Sequence, residues 1–329
     1  MDDRRHDKLG TYRAKRDPRR TSEPIPDDTR RGGDDTFVIQ EHHARSLHWD
    51  LRLERDGVLV SWAIPRGLPP DPATNHLAVH TEDHPMEYAA FEGEIPEGEY
   101  GGGTMTIWDR GRYTTEKWND REVKIVLSGS RASGRYVLFQ TDGRNWMIHR
   151  MDPPDAGWEP QPMSLAPMTP VTRSRVPRDA GAYAWEFAWG GLRALAHVSG
   201  GRLVLRSAAG DEITREHRWL RPLAESLGSR AVTLDGEIVT LGGTSVYVCY
   251  DLLYDDGRPL LAEPYERRRA GLEELGMTGA RWQIAPSWPG EVQAVRRAAA
   301  GQGLPGVVGK RLGSPYTPGE SPSWVFVAA

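Results

Sequence analysis

Lysine is almost missing from this chain of 329 residues: Lys8, Lys15, Lys117, Lys124 and Lys310 are the only five among 42 basic residues, and the rest are arginine. A codon preference is cause enough, and the consequence does not depend on the cause. No lysine stands between Lys124 and Lys310, which excludes lysine-nucleophile chemistry from that stretch. A single cysteine, Cys249, excludes a disulfide framework and any CxxC zinc cluster. No apolar run approaches the ~20 residues of a membrane span. The charged start MDDRRHDKLG is unlike a signal peptide, so a cytoplasmic protein without membrane contact is expected. Neither charge sign dominates: 46 acidic residues leave a net charge of −4. With 38% hydrophobic and 27% charged residues, the composition is that of a folded chain, about two domains long at ~100–200 residues each.

The texture of the sequence divides it. Residues 1–35 mix Arg, Asp, Pro and Gly with few apolar positions, which predicts an arm that is partly disordered or docked along a domain. Residues 36–152 run as short alternating segments (FVIQ, LHWDLRLE, GVLVSWAI, TMTIWD, GRYVLFQ) punctuated by Gly, Pro and Asp-Gly. That pattern predicts a small all-β barrel or sandwich. Residues 153–162 read as a Pro-rich linker. From 163 to 329, strand-like runs such as AVTLDGEIVTL and VYVCYDLLY alternate with helical spacing in EHRWLRPLAESL, YERRRAGLEEL and EVQAVRRAAA. The expectation there is an α+β domain.

The most informative line is QEHHARSLHWDLRL, residues 40–53. On a strand, side chains alternate faces. His48, Asp50 and Arg52 then share one face, while Leu47, Trp49, Leu51 and Leu53 share the other, with His42 just upstream. A half-buried strand with a polar face in water accounts for this row. So does a site in which two imidazoles and a carboxylate hold a divalent transition metal and a guanidinium takes a phosphate oxygen. His84, before Pro85, falls in a loop, where catalytic groups often sit. A glycine-rich stretch, Gly98 to Gly103, follows.

VIQEHHARSLHWDLRLE, SWAIPRG, EDHPMEYAAFEGEIPEGEYGGGTMTIWDRG and RNWMIHRMD together resemble the 3′-phosphoesterase domain of bacterial DNA ligase D over about residues 8–152. The resemblance implies a small β-barrel with a manganese (Mn2+) site. It also implies an enzyme that removes a 3′-terminal ribonucleoside and a 3′-phosphate to leave a 3′-hydroxyl, in DNA repair and non-homologous end joining. Carried over by motif, the resemblance implies that His42, His48 and Asp50 are the metal ligands, that Arg52 and His84 hold the phosphate with Gln40 and Tyr88 close by, and that Tyr88 joins the catalytic set. A YRxKRDxxxTxEP pattern, Tyr12 to Pro24, implies that Arg16, Asp17 and Glu23 reach into the site. Glu41 stands where a lysine is usual. Expected partners are DNA or RNA-containing primer 3′ ends, with Ku, a separate ligase or a polymerase alongside, in a nucleoid-associated setting. Arg13, Lys15, Arg16, Arg19 and Arg20 offer a local basic patch for phosphate. Two other readings share these residues. One is a non-catalytic DNA-end-binding scaffold, which has no need of the site. The other is a cupin-like iron oxygenase, which Arg52 and the short His42–His48 spacing disfavour.

In the second half, LDGEIV (234–239), YDLLY (250–254) and GVVGKR (306–311) resemble motifs of the ATP-dependent DNA ligase adenylation domain, a nucleotidyltransferase-like fold. The resemblance fails at the chemistry. Ala188 replaces the nucleophilic lysine and Gly190 the aspartate of the KxDG motif. Pro305 replaces an acid, and Phe326 and Ala328 replace the lysines of W-x-K-x-K. The sequence given stops without the OB-fold domain of that family. These departures imply a degenerate ligase-like domain, in which Lys310, Arg193 and Glu237 match nucleotide-pocket positions.

Overall fold

The computed structural model describes residues 7–26 and 32–329, divided into two compact units, Met1–Asp155 and Ala156–Ala329. The expectation of disorder for the remainder of the arm lies outside the described residues. In the first unit the strands are β1 (Thr36–His43), β2 (Leu47–Arg55), β3 (Val58–Ile64), β4 (His76–His80), β5 (Gly93–Ile95), β6 (Gly103–Asn119), β7 (Glu122–Gly129), β8 (Ser133–Asp142) and β9 (Asn145–Arg150). Their order is β1-β2-β3-β4-β9-β8-β7-β6, and pairing of β1 with β6 closes eight antiparallel strands into a barrel, with β5 added on β6. Closure leaves no open edge among those eight. The Asp56-Gly57 turn between β2 and β3 has both φ values positive, 50° and 82°, as a two-residue hairpin requires.

Alternation places Leu47, Trp49, Leu51 and Leu53 in the barrel core with Trp62, Ile125, Leu138 and Ile148. The opposite row of β2 is covered as well. The described arm, with α1 (Gly10–Ala14), docks by Leu9 and Tyr12 into a second apolar cluster with Val58, Leu59, Tyr88 and Ile95. Its cations do not form a free basic patch. Arg13 pairs with Asp7, Lys15 with Glu82, Arg16 with Glu23 and Glu82, Arg19 with Asp17, and Arg20 with Glu99. Docking costs chain entropy, which these ion pairs and the buried Leu9 and Tyr12 offset.

The second unit holds β10 (Met168–Arg173), β11 (Tyr183–Ala188), β12 (Leu192–Ser199), β13 (Arg202–Ser207), β14 (Val232–Leu241), β15 (Thr244–Asp255), β16 (Arg258–Pro259), β17 (Trp282–Ile284), β18 (Trp288–Pro289), β19 (Gly306–Arg311) and β20 (Gly319–Ala328). They form two sheets, β10-β20-β19-β11-β18 and β13-β12-β14-β15-β16, with β17 on β15. Helix α2 (Arg221–Ser226) is shorter than EHRWLRPLAESL suggests, because Pro222 lacks the N–H needed to extend the helix backward. Helices α3 (Tyr265–Glu274) and α4 (Val292–Gly301) follow. Helix α4 buries Val292, Val295 and Ala299 against Tyr183 and Trp185. The Pro-rich stretch after 156 packs on this unit: the Glu159 N–H donates to Gly257 O (2.7 Å) and the Gln161 amide to Val232 O (2.7 Å). No helix among the described residues is long and apolar enough to cross a membrane.

Candidate metal and phosphate site

The β1–β2 hairpin turns a six-residue sequence separation into a contact. His42 pairs directly with His48 across the two strands and Gln40 with Asp50, so all four side chains share one face with Arg52. The imidazole centroids are 4.7 Å apart. Each ring has one nitrogen engaged by a backbone carbonyl: His42 Nε2 with Gly101 O (2.8 Å) and His48 Nδ1 with Ser46 O (2.9 Å). A nitrogen facing a carbonyl carries the proton, which leaves the lone pairs on His42 Nδ1 and His48 Nε2. Those two atoms face Asp50, at 3.6 Å from Oδ2 and 3.8 Å from Oδ1. Ligand atoms of His42, His48 and Asp50 lie within 4.8 Å of one another, a group able to hold a metal ion. Burial alone would raise the Asp50 carboxyl, but the Arg52 guanidinium beside it overrides that and holds it well below the usual carboxylate range. The carboxylate is therefore ionised and ready to ligate.

Behind the triad lies a polar network with few free valences. Arg52 is buried and donates from Nη2 to Asp50 Oδ2 (3.0 Å), from Nε to Gln40 Oε1 (2.6 Å) and from Nη1 to Ser61 Oγ (3.0 Å), with the Tyr88 ring 4.7 Å away. Gln40 sits beneath the cleft, its amide donating to Tyr88 O and Phe91 O. His84 Nδ1 meets Glu82 O (2.8 Å) and Ser61 Oγ (3.3 Å), and its Nε2 faces Arg16 Nη2 (3.4 Å). Burial, and then the charges of Arg52 and Arg16, push the His84 pKa well down. His84 is thus neutral, protonated on Nδ1, with an accepting Nε2. Tyr88 OH donates to Glu23 Oε1 (2.9 Å), which also receives Arg16 Nε (2.9 Å).

His42, His48, Asp50, Arg52, His84, Tyr88 and Arg16 line one cleft of about 1460 Å³. Glu23 and Gln40 support it from below. Asp17 does not reach it: its half-exposed carboxylate accepts the Arg19 N–H and faces Arg19 Nε, and its carbonyl closes the turn to Arg20 and Thr21. Two supporting residues escape a reading by motif. Ser61 opens SWAIPRG and pairs across from Arg52 in the β2–β3 register, and Glu82 precedes His84 by two residues. Their signal was position beside a named residue rather than residue type.

In the second unit the five positions singled out against the ligase motifs, Ala188, Gly190, Pro305, Phe326 and Ala328, are spread over β11, β20 and two loops. Ala188 ends β11, paired with Gly306. Gly190 and Pro305 abut, since a Cβ on Gly190 would lie 3.3 Å from Pro305 Cγ. Phe326 and Ala328 lie on β20, opposite Val308 and Gly306. Around them the charged groups are mutually engaged. Lys310 Nζ pairs with Glu186 (2.9 Å) and lies 4.4 Å from the Trp324 ring, and Arg193 forks onto Asp235 (2.6 and 2.7 Å). Burial pushes the Lys310 ammonium down, against the pull of Glu186. Glu237 accepts the Gly191 N–H and the Tyr250 OH.

A closed antiparallel barrel with a His2Asp group beside a buried Arg–His network, joined in one chain to a ligase nucleotidyltransferase-like domain, defines a two-part protein of phosphoesterase and ligase type. Comparison with known proteins agrees: residues 40–140 match the DNA Ligase D 3′-phosphoesterase domain and residues 242–326 the ATP dependent DNA ligase domain. The chain is homologous to the LigD proteins. It is 43% identical to the multifunctional non-homologous end joining protein LigD of Mycobacterium bovis, over 97% of this chain and 45% of that one. It is 31% identical to LigD of Pseudomonas aeruginosa, over 96% of this chain and 46% of that one. It therefore spans about half the length of these curated relatives. The crystal structure of the ligase domain from M. tuberculosis LigD is similar at 32% identity and a TM-score of 0.46, over 50% of this chain and 59% of that one.

Proposed function

We propose that the barrel unit is a Mn2+-dependent 3′-phosphoesterase acting on nucleic-acid ends in end joining, trimming a 3′-terminal ribonucleoside and removing a 3′-phosphate to leave a 3′-hydroxyl. The observation that carries this is the placement of His42, His48 and Asp50 in the same cleft as Arg52, Arg16 and His84. A divalent ion held by the triad supplies Lewis-acid polarisation of a phosphoryl oxygen. The fixed guanidiniums of Arg52 and Arg16 add positive potential where charge develops. Neutral His84 accepts at Nε2, so it orients a protonated group or Arg16 rather than giving up a proton from that nitrogen. Tyr88 and Glu23 hold Arg16 and Arg52 in place.

The second unit, on this reading, has lost nucleotidyl transfer and serves to retain the protein at DNA ends, with Ku, a separate ligase or a polymerase as candidate partners. The test of the catalytic part uses a primer-template ending in a 3′-phosphate or a single 3′-ribonucleotide, with Mn2+. A 3′-hydroxyl product is expected, and His48→Ala or a chelator should abolish it. No product above the chelated control leaves the scaffold reading instead.

A further inference from the structure

Two side chains on the rim of the cleft stand outside the hydrogen-bonded network around Arg52 and His84: Arg45, and Tyr100, whose ring, among the described residues, meets only the Lys15 ammonium and, farther off, the Arg16 guanidinium. Arg45 lies exposed in the turn between β1 and β2 and lines the cleft. The other arginines of the cleft, Arg16 and Arg52, are tied to carboxylates, whereas Arg45 forms no ion pair among the described residues. Tyr100 also lines the cleft and is 47% exposed, unusual for so large a ring. Its loop is not slack. Glu99 N–H donates to Pro96 O and Gly102 N–H to Glu99 O (both 3.1 Å), Arg20 pairs with Glu99 (2.8 Å), and Gly101 O holds His42. Lys15 Nζ lies 4.1 Å from the ring centroid. The loop and the hairpin turn meet at the His43–Thr104 pairing, so Tyr100 and Arg45 flank the same triad.

An ordered, exposed ring beside a phosphate site suits a nucleobase, because stacking needs only a π face. Glu94 and Glu97 on the loop side repel a phosphodiester, and Arg45 on the hairpin side attracts one. We propose that Tyr100 and Arg45 form a nucleotide subsite: Tyr100 stacks the base of the 3′-terminal nucleotide, and Arg45 pairs with the phosphodiester on its 5′ side. This rests on the phosphoesterase reading above, and a subsite of this kind would favour a nucleic-acid end over a small phosphate ester, which offers no base to stack.

The test is binding of a fluorescein-labelled oligonucleotide with a 3′-phosphate to the full chain in chelator, read by anisotropy, beside turnover with Mn2+. Tyr100→Ala should weaken binding about tenfold and raise KM with kcat retained, while Tyr100→Phe should bind within about twofold of the wild type. Arg45→Ala should lower the slope of log K against log salt by about 0.7–0.9, one phosphate contact. Unchanged binding and KM in both alanine variants overturn the subsite, as does a wild type that does not bind. A wild type that binds through Tyr100 but yields no 3′-hydroxyl overturns the phosphoesterase reading and leaves the subsite standing.

Discussion

Asp83 and His84 are neighbours in sequence, and burial pushes both toward neutrality, in opposite directions on the pH scale. Burial raises the Asp83 carboxyl from 3.8 to about 6, with Lys8 opposing and Glu82 adding to the rise. A carboxyl that is raised in the folded state stabilises the fold below its unfolded pKa, and that contribution is lost as pH rises through about 6. The penalty is complete above that value. At ~1.4 kcal/mol per unit, it is on the order of 1–3 kcal/mol. Asp83→Asn keeps the shape without the charge. The variant should therefore melt at a higher temperature than the wild type at pH 8 and at the same temperature near pH 3.5. Thermal unfolding followed by circular dichroism across this range checks it; an equal gain at both pH values would sink the electrostatic account.

At the scale of elements, the site depends on how a hairpin meets a loop. The period-two row of His48, Asp50 and Arg52 was legible in the sequence, because alternation is a property of any strand. The partnership of His42 with His48 was legible only as nearness in sequence. Cross-strand register depends on where the turn falls, here residues 44–46, and composition does not specify that. Asp17 shows the opposite failure: its motif neighbours Arg16 and Glu23 point inward, while the turn at 17–21 aims Asp17 out. Helical spacing located α3 and α4, but Pro222 cut α2 short. Gly103 makes the dependence on packing testable. Its φ is +146°, and a Cβ there would lie 2.3 Å from His43 O and 2.8 Å from Ala44 Cα, both backbone atoms. Gly103→Ala must part β6 from the hairpin or strain it, a cost of about 1–3 kcal/mol. The shift carries Gly101 O away from His42, and losing such a support weakens metal binding about tenfold or more. Calorimetric Mn2+ titration beside a melting curve separates the two effects; a destabilised variant with wild-type Mn2+ affinity would show that Gly101 does not orient His42.

Over the whole molecule, two domain types share one chain. In the barrel unit, residues scattered from Arg16 to Tyr88 converge on a single cleft. In the second unit the positions singled out against the ligase motifs lie at the end of β11, in the two loops bearing Gly190 and Pro305, and along β20. The remaining charged groups are mutually engaged: Lys310 with Glu186 and Arg193 with Asp235. On the proposal that the second unit has lost nucleotidyl transfer, Ala188→Lys supplies an amine at the end of β11 and leaves Gly190, Pro305, Phe326 and Ala328 as they are. Incubation with radiolabelled ATP and a divalent metal should leave no covalent label on the wild type or on Ala188→Lys, and neither should seal nicked duplex DNA. Label on Ala188→Lys alone would mean that the pocket still accepts ATP and that the missing lysine is its only lesion. Label on the wild type would mean that a residue other than lysine has taken the nucleophile's place.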